Sequence, residues 1–171
     1  RLIIGNYKNM ESVGLYSIGY NFGSIMSMIV TAINFAYVPF FMSTAKAKDE
    51  EAKAIFARIA TYYLAAILLI ALIISIFAKE VIMIMTTPSF YAAYKVVPLI
   101  AFSFVLNGMY YFVVNPIFYV KSAIKYLPLA TFTAAGVNLL MNFILIPRFG
   151  YMGAAYSSLL SFSVSLVLTW F

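Results

Sequence analysis

Apolar positions in this chain come in runs broken by short stretches of charged and turn-forming residues. Each run has about 20 residues or more, the length that crosses a hydrocarbon core about 30 Å thick. Only helices and closed barrels span lipid, and the run over 64–78 shows none of the two-residue alternation of a barrel strand. The pattern therefore predicts helices. Five spans are expected, over about Ser12 to Met42, Ala54 to Ala78, Tyr94 to Tyr119, Ala123 to Ile146 and Tyr151 to Phe171. The connections are Lys46 to Lys53, Lys79 with Thr86-Thr87-Pro88-Ser89, Lys121 to Lys125, and Pro147-Arg148-Phe149-Gly150. Short connections make consecutive helices antiparallel neighbours. The expected fold class is an all-α, polytopic transmembrane helix bundle.

Within the spans, polar side chains recur at helical spacing. Ser17, Asn21, Ser24, Thr31 and Asn34 form one stripe on the first span. Ser103, Asn107 and Tyr110 do the same on the third, and Thr131, Asn138 and Asn142 on the fourth. Ser157, Ser161 and Ser165 make a looser stripe on the fifth, while Leu64 to Ile74 of the second has no polar face and reads as lipid-exposed. An amide facing hydrocarbon without a partner costs a few kcal/mol, so each stripe faces another helix or water. For a single residue, helix–helix glue is the simpler reading, with Gly19 and Gly23 permitting close approach. Several long polar faces together point instead to a shared water-filled cavity.

Composition excludes a soluble domain. Of 171 residues, 65% are hydrophobic and 9% charged, and the mean hydropathy is +0.99. A small soluble fold leaves too much surface in water to hide that much apolar area. Cysteine and histidine are both absent, which removes disulfides, thiol nucleophiles and the commonest zinc and proton-shuttle ligands. No metal and no cofactor is implied. The net charge of +6 is scattered among the connections, as expected for lysines facing anionic membrane lipids rather than nucleic acid.

Glu11, Asp49, Glu50, Glu51 and Glu80 all fall in or beside connections, so no carboxylate is expected mid-span to serve as an ion relay or a hydrolase pair. The chain is therefore read as not an enzyme. Lys46, Lys48, Lys53 and Arg58 cluster after the first span, which places that side in the cytoplasm by the positive-inside rule. Arg1 leads directly into Leu2-Ile3-Ile4 with no initiator methionine, and both ends read as those of a fragment. Its guanidinium either snorkels to the interface or grips phosphate oxygens in a bidentate way. Asn115-Pro116 marks a site where the third span can bend, and Pro39 and Pro128 sit near span ends.

The segment 138–155 reads NLLMNFILIPRFGYMGAA. It resembles the signature of bacterial polysaccharide transporters, the Wzx-type O-antigen flippases, in which N-x-x-x-N, I-P-x-x-G and G-A-A follow in that order. Val13-Gly14-Leu15-Tyr16 is similar to that family's V-G-x-Y helix entry, and Pro39 before a basic connection is similar to its helix exit. Phe90-Tyr91-Ala92-Ala93 ahead of Pro98-Leu99-Ile100 resembles its outer loop and next helix. The family's entry is preceded by an Asp-Arg pair, whose acid this chain lacks.

The resemblance implies part of a two-lobe exporter of the multidrug, oligosaccharidyl-lipid and polysaccharide superfamily, working by alternating access in the bacterial cytoplasmic membrane. The implied cargo is an undecaprenyl-diphosphate-linked oligosaccharide, with polysaccharide assembly enzymes as further partners. On this reading Asn21, Ser24, Thr31, Ser103, Asn107, Tyr110, Asn138 and Asn142 contact the cargo, and Arg1 lies near the diphosphate. Alternatives are a lipid II-type flippase, a multidrug or cation antiporter of the same superfamily, and a non-transporting membrane scaffold.

Overall fold

The computed structural model describes residues 2–45, 50–119 and 124–170, and these are almost wholly helical, with no strand among them. Helices α1 (Leu2–Tyr7), α2 (Met10–Gly23), α3 (Ile25–Ala45), α4 (Glu50–Met85), α5 (Val97–Tyr119), α6 (Leu127–Phe149) and α7 (Tyr151–Trp170) are joined by two 3₁₀ turns, Pro88–Lys95 and Ile124–Tyr126. Five segments are long and apolar enough to cross a membrane: Met10–Thr44, Ala54–Met85, Pro88–Ile117, Leu127–Phe149 and Tyr151–Trp170. They match the five expected spans. The chain is a multi-pass membrane protein.

Helix α5 occupies the middle of the bundle and packs on α2, α3, α4 and α7. Its buried Ile100, Ala101, Phe104 and Val105 cluster with Met26 and Val30 of α3, Ile67 and Ala71 of α4, and Ala154 and Ala155 of α7, while Val97 clusters with Leu15 of α2 and Ala78 and Ile82 of α4. Bare backbone on α2 allows its close approach. A Cβ on Gly19 would stand 2.6 Å from both the Ala93 carbonyl oxygen and Val96 Cβ, and one on Gly23 2.6 Å from Ile100 Cβ. Helix α4 presents Ile67, Ala71, Ala78 and Ile82 inward and leaves Leu69, Leu72, Ile73, Ile76 and Phe77 exposed. Its outer side is thus the apolar, lipid-facing surface expected of the second span.

Several boundaries move. The first span is two helices, interrupted at Ser24, whose Oγ donates to the Asn21 carbonyl at 2.8 Å. Asn9 caps α2, its side chain accepting from the Ser12 N–H at 2.9 Å, and Glu11 lies in the first turn where the helix dipole favours a negative charge. Helix α3 runs through Pro39 to Ala45, past the expected end. Helix α4 continues to Met85, so Lys79 and Glu80 are on an exposed helical surface rather than in a loop. Pro147 and Arg148 belong to the last turn of α6, and Pro128 sits in its first turn, where a missing N–H costs nothing. Lys46, Lys48, Asp49 and Lys121 lie outside the described residues.

Gly150 ends α6 with φ +61, its N–H donating to the Ile146 carbonyl at 2.8 Å. Left-handed backbone at a helix end satisfies orphan carbonyls, and glycine adopts it without a Cβ penalty. Helix α7 starts at the next residue and returns antiparallel along α6, where Ser161 Oγ donates to the Ala134 carbonyl at 2.9 Å. Replacing Gly150 with alanine is expected to cost about 1–2 kcal/mol. The check is the thermal midpoint of the detergent-solubilised protein, and an unchanged midpoint would show that the turn does not depend on that backbone.

Candidate functional site

Three of the polar stripes converge where α3, α5 and α6 meet. A cleft of about 510 Å³ opens there, lined by Asn34 from α3, Tyr110, Tyr111, Val114 and Asn115 from α5, and Leu127, Pro128, Thr131 and Phe132 from α6, with Ile124 of the second 3₁₀ turn. Pockets for small molecules span about 300–1,000 Å³ and combine apolar walls with a few fixed polar groups. Asn115 Nδ2 donates to Asn34 Oδ1 at 2.9 Å, which joins α5 to α3 at the back of the cleft. Tyr110 stacks obliquely beside Tyr111, ring centres 5.9 Å apart. Thr131 Oγ1 donates to the Leu127 carbonyl at 3.0 Å and keeps its lone pairs for an outside donor.

Each stripe also continues away from the cleft along its own helix. Thr31 is one turn before Asn34, Asn107 one turn before Tyr110, and Asn138 and Asn142 follow Thr131 on the same face of α6. Helices α5 and α6 run in opposite directions, so these positions extend the same way through the membrane. Asn142 Nδ2 donates to Asn138 Oδ1 at 2.9 Å, a pairing along one helix that leaves further amide capacity on both. No group of histidine, cysteine, aspartate or glutamate suited to a metal occurs among the described residues.

The remaining expected site residues are placed elsewhere. Ser103 is buried at 1% exposure and its Oγ donates to the Leu99 carbonyl at 2.7 Å, so it packs within the bundle rather than lining the cleft. Asn21 is exposed on the face of α2 opposite the packed Gly19 and Gly23, and Ser24, the half-buried residue that ends the helix, follows it. They lie outside the cleft. Arg1 lies outside the described residues. Conversely, Asn115 is buried in the cleft although the sequence marks it only as the residue before Pro116. Around the axis of α5 it stands about 120° from Ser103, at 100° per residue, off the stripe that periodicity selects.

A second groove, about 540 Å³, lies on the other side of α5 between α4 and α7, walled by Leu64, Leu68, Phe102, Val105, Leu106 and Met109. Its one hydroxyl, on Ser163, is returned to the Leu159 carbonyl at 2.9 Å. Nothing on that wall invites a polar ligand. The hydrogen-bonding cleft is the candidate site.

No protein-family model, curated protein or solved structure matches this chain. The segment 138–155 has a defined physical role in the structure. Asn138 and Asn142 sit on α6, Gly150 makes the left-handed turn, and Gly153, Ala154 and Ala155 are buried at the start of α7. A Cβ on Gly153 would collide with the backbone of Leu145 and Ile146. The I-P-x-x-G and G-A-A elements thus build a tight hairpin, and the paired asparagines decorate it.

Proposed function

We propose that this chain forms part of the passage of a flippase that turns undecaprenyl-diphosphate-linked oligosaccharide from the inner to the outer leaflet of the bacterial cytoplasmic membrane. The observation that carries the reading is the meeting of Asn34, Asn115, Tyr110 and Thr131, from three helices, around one cleft at membrane depth. Neutral amides and hydroxyls exchange hydrogen bonds with sugar hydroxyls at little net cost, so they hold a polar cargo and also release it. Carboxylates are absent from the cleft lining, which suits an anionic lipid-linked cargo. The polyprenyl tail stays in lipid, and no covalent step is needed. Alternating access then follows from moving this cleft against a facing wall.

One observation favours a second reading, a non-transporting scaffold. Asn34 and Asn115 pair across two helices inside the protein, as helix–helix glue does, and Asn138 and Asn142 pair along one helix. The chain has no cysteine of its own, so cysteines placed in it report cleanly once any cysteine elsewhere in the full-length protein is replaced. In the full-length protein, single cysteines at Tyr110 and Thr131 are expected to react with a small, membrane-impermeant thiol reagent. Lipid-linked oligosaccharide should protect them, while a cysteine at Ile73 on the lipid face should stay unreactive. Inert cysteines at both cleft positions would leave the scaffold reading standing.

A further inference from the structure

Behind the cleft, on the far side of Asn34, lies a much smaller chamber of about 20 Å³ between α3, α4 and α5. Its walls are Ile33, Asn34 and Tyr37 of α3, Tyr63 of α4, and Gly108, Tyr111 and Phe112 of α5. Phe112 lies near parallel to two tyrosines, with ring centres 4.7 Å from Tyr37 and 5.7 Å from Tyr63. Stacking of this kind fixes both phenol rings and therefore both hydroxyls. The Tyr37 hydroxyl is buried without a hydrogen-bond partner from the protein. The Tyr63 hydroxyl rests against Gly108, where a Cβ would stand 2.5 Å away, so the glycine makes room for it. Asn34 spends its Oδ1 on Asn115 and keeps its amide N–H groups to donate.

A buried phenol without a partner is costly where no bulk water reaches it. The chamber admits about one water by volume, since a single site needs roughly 10–15 Å³ on the same measure. It also supplies the two to four polar partners that a buried water typically uses. We infer that this chamber is a single-water site, in which one water bridges Tyr37 Oη, Tyr63 Oη and the Asn34 amide. The water ties α3 to α4 at the level where the Asn34–Asn115 bond links α3 to α5. It also fixes which way the Asn34 amide points, because donation toward the chamber turns Oδ1 toward Asn115. The inference does not depend on what the cleft carries.

The two possibilities differ in sign. If Tyr37 Oη truly lacks a partner, Tyr37→Phe removes an unsatisfied group and raises the thermal midpoint. If the water is present, Tyr37→Phe removes one of its anchors and lowers the midpoint, by about 2–4 °C for a chain of this size. The measurement is thermal unfolding of the full protein in detergent for Tyr37→Phe, Tyr63→Phe and the double variant. Both rings keep their shape and stacking, so misfolding is not expected. The single-water site requires that each single variant lowers the midpoint and that the double variant loses no more than either single one. A rise or no change with Tyr37→Phe, no effect of Tyr63→Phe, or additive losses would each overturn it.

Discussion

Alanine at Gly19 is expected to cost the bundle about 3 kcal/mol or more, at the upper end of overpacking penalties. The added Cβ would meet the Ala93 carbonyl oxygen and Val96 Cβ, each at 2.6 Å. Neither is the end of a flexible side chain, so α2 itself must move away from the start of α5. Two other glycines calibrate the claim. At Gly14 the Cβ would approach Phe90 Cε1 at 2.8 Å, but that ring can swing, and the loss should be smaller. At Gly136, mid-way along α6, no atom lies within 4 Å, and alanine should stabilise the helix by up to about 1 kcal/mol. Thermal unfolding of the three variants in one detergent should therefore rank Gly19→Ala lowest and Gly136→Ala highest. A Gly19→Ala midpoint equal to that of Gly136→Ala would mean that α2 does not pack on α5 as described.

The second large effect concerns Asn34 and Asn115, and it separates glue from passage. Asn115→Leu leaves the Asn34 carbonyl without its donor, and interhelical hydrogen bonds in membranes are worth about 1 kcal/mol. Asn34→Leu does the same to the Asn115 amide. Replacing both by leucine removes the pair together, which is close to neutral for stability when shapes are kept. A scaffold would accept the double variant. A passage would not, because the cleft loses both amides that face the cargo. Export of lipid-linked oligosaccharide is expected to fall about tenfold or more in the double variant, since about 1.4 kcal/mol of lost binding is a factor of ten. Normal export with normal stability would rule out the passage at this cleft.

The fold could be read from the sequence because lipid leaves few choices: apolar runs of the right length become helices and little else. Misplaced boundaries trace to charges and prolines taken as breaks. Lys79 and Glu80 were natural candidates for a loop, yet a charged pair on a helix costs nothing once it reaches the headgroups. Pro147 falls in a last turn, where the chain is about to leave the helix in any case. The site was partly legible. Periodicity finds Asn34, Tyr110 and Thr131 because each belongs to a stripe, but a stripe does not say which helix it faces. The structure divides the stripes, turning that of α2 away from the packed face and burying Ser103. Asn115 and Tyr37 escaped because each is defined by a partner on another helix rather than by neighbours on its own.

The length of α4 has a bearing on where the cleft stands. Its 36 residues make a rod of about 54 Å, well beyond a hydrocarbon slab of about 30 Å. Arg58 and Lys79, both exposed, are separated by about 32 Å along the axis at 1.5 Å per residue, nearly the thickness of that slab. With a slab of that thickness laid between them, one cation would fall at each headgroup layer. Phe56 packs at a tilt against Phe41 and Tyr63 stacks on Phe112, which sets the Asn34–Asn115 bond within roughly 10 Å of Arg58 at the same rise per residue. The vestibule is therefore shallow and belongs to one leaflet. On the proposed function, a headgroup received there would have some 20 Å of bilayer still to cross, along the face that carries Asn107, Asn138 and Asn142.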